Sequence, residues 1–239
     1  MERYLLIAHR CGPGKYPEQS IASARNAISV GADMVEMDIQ YTSDGIPVIC
    51  HDPNTKRMFG EDCLVSNMTF NHFMGLRQIQ DSSYPSHSLQ NIFDSGINPV
   101  LFHCKITGSR LEDLARRVAD NDFVDRCVIG VQQPEDVEII KSVSDDIRVL
   151  SFMPTIDLFD KFLSSRAEYI RLWEPWTNQN LIDKVHSSGK KVWIMAGEPR
   201  PDSVGYTSAE NLIKWKAMGC DGVLINDIAW AKGILENND

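Results

Sequence analysis

The sequence predicts a (β/α)8 barrel with a small insertion after the second strand. Short apolar runs alternate with amphipathic segments along the whole chain, which is typical of parallel strands joined by helices. Eight such strands fit into 239 residues, the number and approximate size expected of this barrel. A doubly wound sheet usually has fewer strands, and it would leave the closely spaced units in 147–236 difficult to place.

The first half of the chain contains two of these units and an irregular stretch. Gly31 ends the first predicted helix, as glycine commonly does at helix C-termini. After the second strand, a turn at residues 43–45 returns the chain as a short strand over 46–50, a hairpin-like excursion. Residues 53–98 contain turn residues and two helical patches. Because loops of this length are uncommon, we expect a small insertion with helices of its own.

In the second half, strands and helices alternate at short intervals. Over the whole chain, the predicted barrel strands are 4–8, 34–39, 100–104, 127–131, 148–152, 169–172, 191–195 and 222–225. Helices are predicted over 17–30, 111–119, 135–143, 157–163, 179–187 and 209–218, with a last helix from Ile228. No linker, low-complexity tract or repeat divides the chain, so we expect one domain over residues 1–239.

Composition narrows the possible partners and location. The net charge of −9 argues against a nucleic-acid partner, because binding to a phosphate backbone needs an excess of Lys and Arg. It leaves an anionic substrate open, since a metal and a few local cations can reverse the field in one pocket. With no long apolar stretch and no secretory signal pattern, we expect a cytosolic protein without stable membrane insertion. The six scattered cysteines favour reduced thiols. The sequence predicts no oligomeric state.

Titratable residues stand at the ends of the first predicted strands, where the active site of such a barrel lies. His9 and Arg10 close the first strand, and His51 ends the hairpin. Glu36 and Asp38 are two residues apart on the second strand, so their side chains point the same way. Two carboxylates on one face are costly to ionise together without a cation between them. A hard divalent ion such as Mg²⁺ or Ca²⁺ is the natural occupant.

The end of the third strand adds His103 and Lys105, which the same period of two places side by side. A lysine near a metal suits a phosphate that binds both. His9 and His51, on opposite sides of such a phosphate, would supply a base and an acid. The set fits hydrolysis of a phosphate ester better than acyl or hydride transfer, since the sequence has no G-x-S-x-G and no glycine-rich nucleotide motif.

Several short motifs occur in order between residues 8 and 52. They are Ala8-His9-Arg10, Pro17-Glu18-Gln19-Ser20, Glu36-Met37-Asp38, Thr42-x-Asp44-Gly45 and Pro47-Val48-Ile49-x-His51-Asp52. This series resembles the glycerophosphodiester phosphodiesterases, and weaker likeness extends over nearly the whole chain. The resemblance implies the same barrel with its insertion. It also implies metal-dependent hydrolysis of a small glycerophosphodiester to glycerol 3-phosphate and an alcohol.

The resemblance also implies roles for single residues. The implied roles are acid–base catalysis for His9 and His51, phosphate binding for Arg10 and Lys105, and metal binding for Glu36 and Asp38. Glu18 would lie in the same polar cluster, as a metal ligand or just behind the ligands. Trp193 would line the substrate pocket, whereas Trp173 and Trp176 either wall it or pack in the core. Whether a cyclic phosphate forms during hydrolysis stays open.

One departure from the family pattern concerns the metal. The family usually has a glutamate where His103 stands. A histidine can still ligate, but it is neutral when it does so. The site would lose a negative charge, and its preference should move from Mg²⁺ or Ca²⁺ toward Mn²⁺, Co²⁺ or Zn²⁺. The alternative is that His103 is a rim residue that contacts substrate or phosphate.

Two further hypotheses stay open from the sequence. A lysophospholipase D-like activity would need an exposed apolar rim around the mouth of the barrel. The insertion could supply one, since it contains Met58, Phe59, Met68, Phe70, Phe73 and Met74. Alternatively, the histidine at position 103 marks a chain that has lost metal-dependent turnover and kept phosphate binding, as a sensor or scaffold.

Overall fold

Eight parallel strands form a closed ring in the computed structural model, which describes residues 3–238. In chain order the strands are β1 Leu5–Ala8, β2 Met34–Tyr41, β3 Pro47–Ile49, β4 His87–Ser88, β5 Val100–Cys104, β6 Cys127–Val131, β7 Arg148–Ser151, β8 Tyr169–Trp173, β9 Lys191–Met195 and β10 Gly222–Ile225. The ring runs β1-β2-β5-β6-β7-β8-β9-β10 and closes where β10 pairs with β1. The predicted (β/α)8 barrel is confirmed. Met1, Glu2 and Asp239, which the single-domain prediction includes, lie outside the described residues.

The helices surround this ring. They are α1 Ile21–Ser29, α2 Lys56–Phe59, α3 Phe70–Gly75, α4 Leu89–Asp94, α5 Ser109–Asp120, α6 Pro134–Val143, α7 Phe159–Ser164, α8 Gln179–Ser187, α9 Ala209–Ala217 and α10 Ile228–Glu236. The first predicted helix begins later than expected, because the Ser20 hydroxyl accepts the backbone N–H of Ser23 and caps α1. Residues 17–20 are thereby left as a loop. Within residues 3–238, no helix combines the length and hydrophobicity that crossing a bilayer requires.

Strand side chains alternate between the barrel interior and the layer under the helices. The interior is filled by Ile7, Met34, Leu101, Val128, Leu150, Phe152, Trp193, Met195 and Leu224. Outward-facing side chains pack on helix faces such as that of α5, where Leu111, Leu114 and Val118 are buried. Because the interior is packed, a ligand can enter only at the ends of the strands.

The insertion spans fewer residues than the predicted 53–98, because α4 belongs to the barrel. Strands β3 and β4 pair antiparallel outside the ring, and α2 and α3 pack on β3. Helix α4 instead buries Leu89 and Ile92 in the main core, so it serves as the barrel helix of the second unit. Most apolar side chains that could have formed a rim lie in a separate small core. Met58, Phe59, Met68 and Phe73 are buried there, with Phe70 and Met74 partly buried against them.

A close approach in the barrel explains one glycine. A Cβ atom at Gly130 of β6 would lie 2.3 Å from Cδ2 of Phe152, far inside van der Waals contact. The Phe152 ring in turn stacks on the imidazole of His103, with ring centroids 3.8 Å apart and an interplanar angle of 12°. Gly130 therefore makes room for the ring that supports His103.

We expect Gly130→Ala to lower the free energy of unfolding by about 1–3 kcal/mol, because the new methyl group overpacks the barrel against Phe152. Urea denaturation measures this change. Gly233→Ala in α10 is the matched control, since a Cβ there meets no atom within 4 Å. It should raise stability by roughly 0.5–1 kcal/mol through helix propensity. A Gly130→Ala protein as stable as the parent would show that the ring moves without cost.

Candidate active site

A cavity of about 860 Å³ opens at the carboxyl ends of the barrel strands. Seven of the strand ends around the ring contribute side chains to its wall, namely His9, His103, Gln132, Phe152, Trp173, Met195 and Asn226. Arg10, His51 and Lys105 lie in the same wall. The structure therefore brings the two histidines and the two cations of the sequence prediction together, although 96 residue positions separate the first from the last.

A cluster of three potential metal ligands borders this wall. Glu36 and Asp38 of β2 and His103 of β5 offer ligand atoms that all lie within 4.8 Å of one another. The Nδ1 atom of His103 is 3.0 Å from Oδ1 of Asp38 and 3.7 Å from Oε1 of Glu36. Oδ1 of Asp38 is buried, and its contacts with Nδ1 of His103 at 3.0 Å and with the Lys105 ammonium at 3.2 Å lack hydrogen-bond geometry. Two carboxylates and an imidazole around this oxygen fit a divalent cation.

The other oxygen of each carboxylate is already engaged. The Gln19 amide donates to Oδ2 of Asp38 at 2.7 Å and accepts the backbone N–H of Asp38 at 3.0 Å. The backbone N–H of Arg10 donates to Oε2 of Glu36 at 2.7 Å. Both Arg10 and Gln19 have left-handed backbones, with φ of 48° and 58°, which non-glycine residues rarely adopt. These contacts orient the remaining carboxylate oxygens toward His103.

The pKa values of the two carboxyl groups are shifted in opposite directions. Burial raises the pKa of Glu36, and the neighbouring charge of Asp38 raises it further. Burial also raises the pKa of Asp38, but Lys105 and His103 outweigh it and hold that pKa below its usual range. Like charges this close cannot both ionise cheaply. A bound divalent cation would allow both carboxylates to be charged.

His9 closes β1 in a short 3-10 turn and is only 7% exposed. Its Nδ1 atom lies 2.8 Å from Oδ1 of Asn226. The Asn226 amide nitrogen donates to the carbonyl of Val204, so the amide oxygen faces the imidazole and Nδ1 donates. The Nε2 atom is left with a free lone pair. Burial, and then the charge of Arg10, lower the pKa of His9 to about 3, so the ring is neutral at physiological pH.

His51 is held from both sides. Its Nδ1 atom is 2.5 Å from Oδ1 of Asp52, and its Nε2 atom is 2.8 Å from Nη2 of Arg10. Since a guanidinium can only donate, Nε2 accepts and Nδ1 carries the proton toward Asp52. The ammonium group of Lys105 donates to the backbone carbonyl of His51 at 2.9 Å. Arg10 thus follows one imidazole in the chain and contacts the other.

Arg57 of α2 reaches this wall from the insertion. It donates to Oδ2 of Asp52 at 2.5 Å and to Oε1 of Glu18 at 2.6 Å. Burial raises the pKa of Asp52, but hydrogen bonds from His51 and Arg57 outweigh it and keep that pKa below its usual range. Glu18 lies outside the cluster of potential metal ligands and pairs instead with Arg57 and, at 3.6 Å, with Arg10.

The structure does not bring Trp193 to the cavity. Its side chain is fully buried in the barrel interior, with its ring centroid 4.3 Å from that of Tyr169. Trp193 lies in the middle of β9, two residues before Met195, so its ring fills the layer beneath the cavity floor. Met195 and Trp173 line the cavity instead.

Three residues that the sequence prediction assigned no role hold the catalytic candidates in place. Gln19 binds Asp38, Asn226 binds His9, and Arg57 binds Asp52. Asn226 also needs Gly205, because a Cβ there would lie 2.2 Å from the amide oxygen. The position of Asn226 after the last strand was the one available signal for it. Gln19 and Arg57 lie in loops or short helices whose contacts only the fold determines.

Titratable side chains that converge at the carboxyl ends of the strands are typical of enzymes built on a (β/α)8 barrel. Comparison with known families identifies the family to which the chain belongs. The chain belongs to the glycerophosphoryl diester phosphodiesterase family, whose sequence model matches residues 9–226. That match includes every residue of the wall and cluster described above.

A curated relative and two solved structures extend the comparison. Glycerophosphodiester phosphodiesterase 1 of Homo sapiens is 36% identical over 100 residues, which cover 42% of this chain and only 29% of that protein. The glycerophosphodiester phosphodiesterase structure from Agrobacterium tumefaciens has a TM-score of 0.81 at 15% identity, covering 98% of this chain and 100% of that one. An Oleispira antarctica phosphodiesterase in complex with its product sn-glycerol-3-phosphate has a TM-score of 0.78 at 17% identity, covering 97% and 96%. At these identities the two structures support the fold alone.

We expect Asn226→Asp to raise the pKa of His9 above about 3 by roughly one to three pH units, because an adjacent carboxylate favours the imidazolium. In the parent, the folded-state pKa lies below the ordinary value of 6.5. Protonation therefore destabilises the fold progressively as the pH falls below 6.5, and the substitution should lessen that loss. NMR titration of the His9 ring protons measures the pKa, and urea denaturation at several pH values measures the linkage.

The matched control for this test is Asn178→Asp. Asn178 caps α8 through its side-chain oxygen, a role that aspartate also performs, and it lies outside the cavity wall. The pKa of His9 should be the same in this variant as in the parent. An unchanged His9 titration in Asn226→Asp would show that the Asn226 contact does not govern the imidazole.

Proposed function

We propose that this chain hydrolyses glycerophosphodiesters to glycerol 3-phosphate and an alcohol with the aid of a divalent metal. The observation that carries the proposal is the convergence of two imidazoles, two cations and a buried carboxylate–imidazole cluster on one cavity wall. Membership of the glycerophosphoryl diester phosphodiesterase family supports the same reaction. The cavity suits a small-molecule substrate in size and polarity.

The metal would be held by Glu36, Asp38 and His103. When bound, it would withdraw charge from the phosphoryl oxygens and stabilise the transition state. The Lys105 ammonium lies 3.2 Å from Oδ1 of Asp38, so it can reach a phosphate bound beside the cluster. The Arg10 guanidinium reaches the same region from β1, and together the two cations neutralise the phosphate oxygens.

The histidines would move the protons. One imidazole takes a proton from the attacking hydroxyl or water as the new P–O bond forms, and the other protonates the departing alcohol oxygen as the old P–O bond breaks. Both rings are oriented by the hydrogen bond that Nδ1 donates, to Oδ1 of Asn226 for His9 and to Oδ1 of Asp52 for His51. When Arg10 turns to a phosphate oxygen it releases Nε2 of His51, so substrate binding would free the ring for proton transfer.

The lysophospholipase D-like alternative is less well supported. It needed an exposed apolar rim, but the apolar side chains of the insertion pack into the small core around β3. The phosphate-binding alternative rests on the histidine at position 103, and only turnover measurements separate it from the enzyme.

We expect the purified chain to release glycerol 3-phosphate from glycerophosphocholine or glycerophosphoethanolamine, and a chelator to abolish this release. His9→Ala and His51→Ala should each lower kcat by roughly 10²–10⁴-fold, the usual contribution of acid–base catalysis. His72→Ala is the matched control, because His72 is exposed and pairs with Glu61 in the insertion. Phosphate binding without turnover under any divalent ion would favour the sensor.

We expect His103→Glu to raise the affinity for Mg²⁺ or Ca²⁺ by about tenfold, because a third carboxylate adds charge and a preferred oxygen ligand. Isothermal titration calorimetry with the ion alone measures this without turnover. His72→Glu changes the net charge equally at a distant exposed position and should leave the affinity as in the parent. An unchanged Mg²⁺ and Ca²⁺ response in His103→Glu would remove residue 103 from the ligand set.

A further inference from the structure

An arginine with no anionic partner lines the cavity. Arg171 belongs to β8, is 2% exposed and borders the cavity. Its Nη2 atom donates to the backbone carbonyl of Met153 at 3.0 Å. Its Nε and Nη1 atoms are buried without a hydrogen-bond partner among residues 3–238. Buried polar groups are normally paired, so these two donors mark a position that a ligand can complete.

The other cationic side chains of the cavity are already paired with carboxylates. Arg10 and Arg57 pair with Glu18, Lys105 with Asp38, and Arg200 with Glu198, all within 4 Å. For Arg171 the described part of the chain provides no such carboxylate. Consistent with this, burial alone lowers the pKa of Arg171 to about 9. Arg171 is therefore the cation in this wall whose charge the protein leaves uncompensated.

Aromatic rings hold the guanidinium in place. Its central carbon lies 4.5 Å from the ring centroid of Trp173, 5.3 Å from that of Phe152 and 5.9 Å from that of Trp176. Cation–π contacts offset part of the cost of burying a charge. They leave the N–H groups at Nε and Nη1 of the guanidinium without a hydrogen-bond acceptor. The guanidinium is thus packed among aromatic rings at the wall of the cavity.

The position of β8 separates Arg171 from the site of phosphate cleavage. In the closed ring, three strands lie between β8 and β2 in either direction, and β2 carries Glu36 and Asp38. The Phe152 ring contacts both the cluster and Arg171, because it stacks on His103 with centroids 3.8 Å apart and its centroid lies 5.3 Å from the central carbon of the guanidinium. Arg171 is thus one aromatic ring away from the cluster, where it can reach a substrate group that adjoins a phosphate bound there.

We propose that Arg171 binds an anionic group, a carboxylate or a second phosphate, on the alcohol part of the substrate. This inference rests on the proposed function, in which the substrate is a glycerophosphodiester. The glycerol part carries only hydroxyl groups, so a second negative charge can lie only on the alcohol. The fixed positive charge would also disfavour an alcohol that ends in a quaternary ammonium group. The cavity of about 860 Å³ has room for such an alcohol.

The test uses substrate pairs that differ by one anionic group. Glycerophosphoserine and glycerophosphoethanolamine differ by a carboxylate; glycerophosphoinositol phosphate and glycerophosphoinositol differ by a phosphate. We expect the parent to prefer the anionic member of at least one pair in kcat/KM. Arg171→Met should lower that preference by about 10- to 100-fold, the usual range for a lost hydrogen bond to a charged group. Arg171→Lys should retain part of it, and the pair that responds identifies the source of the charge.

Arg148→Met is the matched control, because it removes a strand arginine at the amino end of β7, away from the cavity. An equal loss on both members of each pair, in a folded Arg171→Met protein, would overturn the proposal and assign Arg171 to the common phosphate. Unchanged kcat/KM values for all four substrates would likewise overturn the proposal and assign Arg171 to aromatic packing alone.

Binding measurements separate this proposal from the proposed function. If the parent turns over none of the four compounds, the proposed function fails by itself. Calorimetric affinities of the parent for the same pairs then test the subsite. The same measurement on the parent applies if the Arg171→Met protein does not fold. Equal affinity for both members of each pair would overturn the subsite.

Discussion

The arrangement of the candidate site depends on two carboxylates that one strand buries side by side. Glu36 and Asp38 are each at most 1% exposed, and their proximity would be prohibitive without compensation. One oxygen of each is satisfied by a hydrogen bond from a loop, through Gln19 and the backbone of Arg10. The other two face His103 and Lys105. The loops after β1, the end of β5 and the carboxylate pair are thus mutually dependent.

This dependence accounts for the unusual backbone near the site. Left-handed residues are costly to hold, yet the loops contain Arg10, Cys11 and Gln19 in that conformation. The hydrogen bonds to the carboxylates offset the cost, and the geometry places the Arg10 guanidinium against His51. The left-handed residues of these loops therefore also make contacts that arrange the candidate site.

The strand period and the order of motifs predicted much of this from sequence. The barrel, the shared face of Glu36 and Asp38, and the meeting of His9, His51 and Lys105 at one end follow from local rules about strands. Contacts between distant loops do not, which is why the roles of Gln19, Asn226 and Arg57 needed coordinates. Trp193 shows a second reason why sequence is not enough. The depth of a side chain in the barrel depends on its distance from the strand end, and Trp193 lies only two residues before Met195. An apolar run such as that of β8 likewise conceals how deeply its one arginine is buried.

The two sides of the barrel mouth differ in how the protein compensates charge. On the side of β1, β2 and β5, each cation has a carboxylate partner, and the ligand atoms of Glu36, Asp38 and His103 suit a metal cation. On the side of β8, the guanidinium of Arg171 has aromatic rings and no carboxylate. A net charge of −9 describes neither side, since fields inside a cavity follow its nearest groups. The cluster thus suits a metal cation, whereas the guanidinium of Arg171 suits an anionic group. Under the proposed function, β8 would therefore recognise the alcohol part of the substrate and β2 would hold the metal.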